Sequence, residues 1–272
     1  MDIKTASVQE LYEDMSEKWE ILSELFSRQD IRGKPALAVF NINYDGKKGI
    51  FSSILRKAKF FAGFKSMPSG ISPECKNDLF VEFMKIETMG AYSRYYNLVA
   101  LNRQALSNWW YPFAMPEEVT HSIVQVADDE ILVEKESVAS FNGYSSYFGH
   151  KIHSALKCLE IENFTVEMDE FFPPFGQSHF LGKELNKFMP CLEETINAKA
   201  YFQPGKSKEE RQKDVKETLY RLPSLAGFML AKQYKHDMGA LMKEHPLLPY
   251  LGGKQIWKSY CLPILINGKL TA

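Results

Sequence analysis

The strongest constraint on this chain is the helical spacing near its start, where SVQELYEDMSEKWEILSELFSRQ places Val8, Leu11, Met15, Trp19, Leu22 and Phe26 on one face. Ser7 and Glu10 precede that face at the spacing of a capping box, so an amphipathic helix is predicted here. KPALAVFNINYDGKKG follows, an apolar, β-branched and aromatic run meeting an Asp-Gly turn, which predicts a strand at about Ala36–Tyr44.

Beyond a Pro, Gly and Ser loop, residues from about Leu79 to Trp110 read as a long helix, apolar on more than one side and hence central. YPFAMPEE breaks it with two prolines, and HSIVQVADDEILVEKES reads as two short strands about an Asp-Asp turn. Helical spacing resumes with Tyr144, Phe148, Ile152, Ala155 and Leu159. The aromatic and proline stretch FFPPFGQ reads as a loop before a helix from about His179 to Phe188. Ser207 with Glu210 caps a mixed-charge helix, and further helices and a Pro and Gly punctuated tail complete the chain. The expected architecture is α+β, mostly helical with a few short strands. Its expected division is a main domain over 1–203 and a C-terminal helical subdomain over 204–272, with the break near Pro204–Lys206.

Against a formal net charge of only −1, the stretch KKGIFSSILRKAKFFAGFK is strongly cationic: Lys47, Lys48, Arg56, Lys57, Lys59 and Lys65 with no acid among them. On a helix of about 100° per residue, Ile50, Phe51, Ile54, Leu55, Ala58, Phe61 and Ala62 share an arc of roughly 140°. The opposite face carries Lys48, Ser52, Arg56, Lys57 and Lys59. Such a helix can bury its apolar side while presenting cations one turn apart to a row of phosphates, and Arg56 suits a bidentate contact. No acidic residue interrupts the field from Gly46 to Pro73. The competing readings are a solvated lysine-rich face and a helix lying on an anionic membrane surface.

The sequence has no GxSxG elbow, no Walker GxxxxGK[ST], no GxGxxG after a strand and no HExxH, which disfavours an enzyme with a sequence-readable site. EVTH at Glu118–His121 is a single ExxH, HKIH pairs His150 with His153, and His236 and His245 stand without recognisable partners. No catalytic residue, metal or cofactor is expected. Cys75, Cys158, Cys191 and Cys261 fall in no ligand spacing and read as reduced thiols. The N-terminal stretch lacks the basic and apolar regions of a signal peptide, and no apolar run approaches about 18 residues, so a cytoplasmic protein without a transmembrane segment is expected.

RGKPALAV, NDLFVEFMKIE and VEKESVASFNGYSSYFGHKIHSALK together resemble, in content and order, blocks of the AcaB-like transcriptional regulators of conjugative plasmids and integrating conjugative elements. That resemblance implies a dimeric regulator binding double-stranded DNA with a ribbon-helix-helix-like element, in which a strand from each of two subunits enters the major groove. Its strand here would be about Ile131–Val138, which brings Lys135 into the candidate DNA-binding set, and its helix would start at about Ser140. Two further readings remain: a helical enzyme or ligand-binding protein with an aromatic pocket lined by YSRYYN and NWWYPF, and a structural component of a conjugation or membrane-associated assembly.

Overall fold

The computed structural model describes residues 1–28, 32–41, 90–141, 146–187 and 205–270. It is α+β and mostly helical, and divides into two compact units, Met1–Ile123 and Val124–Ala272. The Gly and Pro break near Pro204–Lys206 lies inside the second unit. Among the described residues no helix is long and apolar enough to cross a membrane.

The first unit begins with α1 (Val8–Phe26), whose capping box is formed: the Ser7 hydroxyl accepts from the Glu10 amide, and the Glu10 carboxylate accepts from the Ser7 amide. Leu11, Met15, Leu22 and Phe26 are buried along its inner face. Strand β1 (Ala36–Phe40) lies parallel to β3 (Leu98–Asn102), and β2 (Gly90–Ser93) lies antiparallel on the other side of β3. Ala36 pairs with Leu98 and Ser93 also pairs with Leu98, so β3 is the central strand, buried along its whole length.

This sheet corrects the expectation of a helix from Leu79 to Trp110 over the part described here. Short fully buried apolar runs such as Leu98–Leu101 satisfy helix and central-strand patterns equally, so periodicity alone cannot separate them. The turn decides it. Asn97 takes the left-handed conformation that asparagine tolerates (φ 47°), its side-chain amide donates to the Gly33 carbonyl at 2.7 Å, and the Tyr92 hydroxyl donates to its Oδ1 at 2.9 Å.

Helix α2 (Tyr111–Ile123) replaces the expected proline break and the first of the two expected strands. Pro112 sits in the first turn, where an amide proton has no helical partner. Pro116 lies inside the helix and forfeits one hydrogen bond, which burial of Phe113, Ala114, Met115, Val119 and Ile123 offsets. Helices α1 and α2 pack together, and the Tyr111 hydroxyl donates to Asp14 at 2.7 Å while Lys18 pairs with the same carboxylate at 2.5 Å. Burial first, and then Asp14, raise the Tyr111 hydroxyl far above the ordinary tyrosine range.

In the second unit, β4 (Glu130–Glu134) leads into α3 (Lys135–Ala139) and α4 (Ser146–Cys158), and β5 (Asn163–Glu167) returns antiparallel to β4. The strand expected over Ile131–Val138 therefore stops at Glu134, where the Lys135 amide donates to the Glu162 carbonyl and the chain turns helical. Ile131, Val133, Phe164 and Val166 point inward and are buried. A 3-10 turn (Met168–Phe171) then precedes α5 (Pro173–Leu181), which starts at the proline pair expected to be loop, with Pro173 at the first helical position. A second 3-10 turn covers Gly182–Lys187.

Helix α6 (Lys208–Tyr220) carries the second formed capping box, Ser207 with Glu210. Helix α7 (Leu222–Gln233) is buried at nine of its positions, apolar all round, and is the centre of this unit. It contacts α5, the 168–171 turn, α6, β5 and the C-terminal segment. That last segment consists of α8 (Met238–Glu244), a 3-10 turn (Leu248–Tyr250), α9 (Gly253–Ile256), a π turn (Trp257–Cys261) and α10 (Leu262–Asn267). Phe171, Phe172 and Phe175 meet edge to face with centroids 5.3 to 5.7 Å apart.

Two glycines let backbones touch. A Cβ on Gly227 of α7 would lie 2.0 Å from the Phe171 carbonyl oxygen, and one on Gly253 would lie 2.1 Å from that of Asp128. Neither carbonyl can retreat as a side chain could. Gly227→Ala is expected to cost about 3 kcal/mol, the upper range of overpacking, read as a fall in the urea midpoint, whereas Gly239→Ala, which meets only Asp237 Oδ1 at 3.5 Å, should be near neutral. In the first unit, Tyr111→Phe should cost about 1 to 2 kcal/mol by leaving Asp14 short of a donor, measured the same way.

Candidate functional site

The cationic residues Lys47, Lys48, Arg56, Lys57, Lys59 and Lys65 lie outside the described residues. Lys135 is described, and it sits at the first position of α3 with its ammonium held by Glu162 and, at 3.9 Å, by Glu136. Its side chain is only 15% exposed. The His153 ring donates through Nδ1 to the Lys135 carbonyl at 3.3 Å, which gives the HKIH pair a structural role, while His150 is exposed.

The outward face of the β4 and β5 pair is acidic. Glu130 lies opposite Glu167, Leu132 opposite Thr165 and Glu134 opposite Asn163. Leu132 is 71% exposed at its middle. At the Glu130 end the carboxylates of Asp129, Asp169 and Glu170 gather as well. Desolvation of the Glu167 carboxyl, and then the charges of Asp169, Glu170, Glu130 and Asp129, push it up from an ordinary 4.5 to about 7.

Three elements of the second unit converge on His236. Its Nδ1 lies 3.1 Å from the Ser178 hydroxyl on α5, and its Nε2 lies 3.3 Å from Asn186 Oδ1 on the 182–187 turn. The ring is half-buried and Ser178 is completely buried. What aims it is the end of α7, a Schellman cap: the Lys235 amide donates to the Lys232 carbonyl and the His236 amide to the Ala231 carbonyl, both at 2.9 Å. Lys235 (φ 55°) and His236 (φ 63°) are both left-handed without being glycine, a strained pair that the surrounding bonds hold in place. Burial first, then Lys232 and Lys183, lower the affinity of His236 for a proton.

Hydroxyl, imidazole and amide in this order have the logic of a nucleophile, its base and an orienting group. The burial of Ser178 in the middle of a helix removes the access a substrate needs. In this conformation the triad braces three elements.

A second histidine is bracketed by two phenols. His245 Nε2 lies 2.9 Å from the Tyr234 hydroxyl, and Nδ1 lies 3.3 Å from the Tyr260 hydroxyl on the π turn. Desolvation, and then Glu244, push the Tyr234 hydroxyl up to about 12, and burial raises that of Tyr260. Both phenols stay protonated and serve as hydrogen-bonding braces at neutral pH. The aromatic stretches named in the sequence do not line one wall: Tyr95 (81% exposed) and Trp109 (58% exposed) face outward, whereas Tyr111 is buried.

Neither histidine cluster carries a spacing that sequence reading could find, since Ser178 and His236 stand 58 residues apart. No family model, curated protein or solved structure matches this chain.

The acidic strand end makes stability depend on pH in a defined direction. Because the folded state holds the Glu167 proton more tightly than the unfolded chain does, this residue's contribution falls as pH rises from about 4.5 to about 7. Glu167→Gln should therefore stabilise the protein by about 1 kcal/mol at pH 8, after allowance for solvent screening of an exposed group, and change little at pH 4. Urea titrations at the two pH values check this, and an equal effect at both would contradict it.

Proposed function

We propose that the chain is a DNA-binding protein, a cytoplasmic and homodimeric transcriptional regulator of a mobile genetic element, which grips the phosphates of duplex DNA through the cationic run Lys47–Lys65. The observation that carries this reading is segregation of charge. Thirty-three Lys and Arg balance thirty-four Asp and Glu over the chain, yet from Gly46 to Pro73 every charged residue is basic. In a near-neutral protein such a window is the local field that a polyanion needs.

The chain order strand, helix, helix in β4, α3 and α4 is in keeping with the resemblance to the AcaB-like regulators, and α4 contains no acidic residue. The outward face of β4 carries Glu130 and Glu134, and Lys135 is held by Glu162, so this strand is a poor surface for phosphates. The reading therefore rests on the run 47–65, with Arg56 as the contact of greatest reach for a bidentate hydrogen bond.

The test is fluorescence anisotropy with duplex DNA at several salt concentrations, using the region upstream of the protein's own gene as one probe. Four to six phosphate contacts give a slope of log K against log salt of about −4 to −5. Arg56→Glu with Lys59→Glu should weaken binding at least tenfold and flatten that slope by about 2. Absence of binding at low salt by the folded protein would overturn the reading.

A further inference from the structure

Arg94 to Asn97 form the turn between β2 and β3, whose flanking residues Ser93 and Leu98 are paired. The segment leading into β1 holds this turn at both ends. The Arg32 guanidinium donates to the Arg94 carbonyl, the Asn97 side-chain amide donates to the Gly33 carbonyl at 2.7 Å, and the Ala36 amide donates to the Asn97 carbonyl at 2.9 Å. From within the hairpin the Tyr92 hydroxyl donates to Asn97 Oδ1. Tyr95, in the middle of the turn, is 81% exposed and stands edge to face against Tyr96 with centroids 4.7 Å apart. A lone exposed ring is ordinary. A ring held out by a fixed turn is preorganised, because little conformational freedom is left for a partner to remove.

The charge around the turn has one sign. Residues 32–41 and 90–110 hold the three strands, and their charged residues are Arg32, Lys34, Arg94 and Arg103, all basic. Lys34 is paired with Glu20 of α1 at 2.7 Å and lies over the Trp19 ring. Arg103 follows the other end of β3, where its guanidinium donates to the Ala6 carbonyl at 2.7 Å. The two cations at the turn are therefore Arg32, which is exposed, and Arg94, which is half-buried. Guanidinium N–H groups and a phenolic O–H are donors, and phosphate oxygens only accept. Arginine and tyrosine are among the side chains that fix a protein on the duplex backbone.

We propose that the β2–β3 turn is a second contact on duplex DNA, an inference that rests on the DNA-binding reading above. Arg32 and Arg94 meet phosphates, and the Tyr95 hydroxyl donates to a phosphate oxygen between them. Contacts of this kind set position and affinity and carry no sequence code. The turn and the run Lys47–Lys65 would then grip the backbone at two places.

Fluorescence anisotropy of the full-length protein on the same duplex probes, over several salt concentrations, tests this. Arg32→Ala should flatten the slope of log K against log salt by about 1. Tyr95→Phe should weaken binding about tenfold at an unchanged slope, the loss of one hydrogen bond to a charged group. Lys216→Ala removes an exposed cation of α6 and should leave both quantities as in the wild type. Because Arg32 also holds the turn, Tyr95→Phe decides if the Arg32 variant loses affinity at an unchanged slope. Wild-type binding by both turn variants, with Arg56→Glu and Lys59→Glu still weakening it, would overturn the second contact alone. A slope flattened equally by Lys216→Ala would also overturn it. Absence of wild-type binding at low salt would overturn the DNA reading and this inference together.

Discussion

The close approach of α7 to the Phe171 carbonyl, permitted by a glycine at position 227, is the contact on which the second unit depends. A helix that is apolar on all sides has no solvent face to orient it, so its position is set by whatever can come nearest. Here that is backbone. With α7 seated, the edge-to-face cluster of Phe171, Phe172 and Phe175 closes over it, and the α7 end delivers His236 to Ser178 and Asn186. Gly253 plays the same part at the Ala127–Asp129 turn, where its amide donates to Ala127 at 2.7 Å. The polar clusters of this unit follow from packing decided elsewhere.

Local chemistry that is complete within one turn of chain was legible in the sequence. The capping boxes of Ser7 with Glu10 and of Ser207 with Glu210 set the starts of α1 and α6, and an apolar, β-branched and aromatic run leading to an Asp-Gly turn marked β1. Where the outcome depends on distant partners, the same reading failed. Leu98–Leu101 is a central strand because β1 and β2 flank it, and nothing within the run says so. Pro116 is tolerated because its helix is buried, and Pro173 begins a helix that its composition made look like a loop. Composition marks a break in both cases, and tertiary burial or helix-start chemistry overrides it.

The same division separates the two kinds of candidate site. The cationic run Lys47–Lys65 is contiguous and therefore visible as charge along the chain. The His236 cluster assembles residues from α5, the 182–187 turn and the end of α7, so only folding brings them together. Charge bookkeeping also explains the contrast between the proposed DNA contact and the β4 and β5 face. Glutamates stand opposite one another at Glu130 and Glu167, and desolvation of the Glu167 carboxyl, followed by the charges of Asp169, Glu170, Glu130 and Asp129, makes it hold its proton near neutrality.

The proposed function stands or falls on where nucleic acid touches the chain. Photo-crosslinking of the full-length protein to duplex DNA from its own upstream region, followed by peptide mass spectrometry, reads this directly. Crosslinked peptides should concentrate between Lys47 and Lys65. Crosslinks confined to other parts of the chain, or none on a folded protein at low salt, would contradict it.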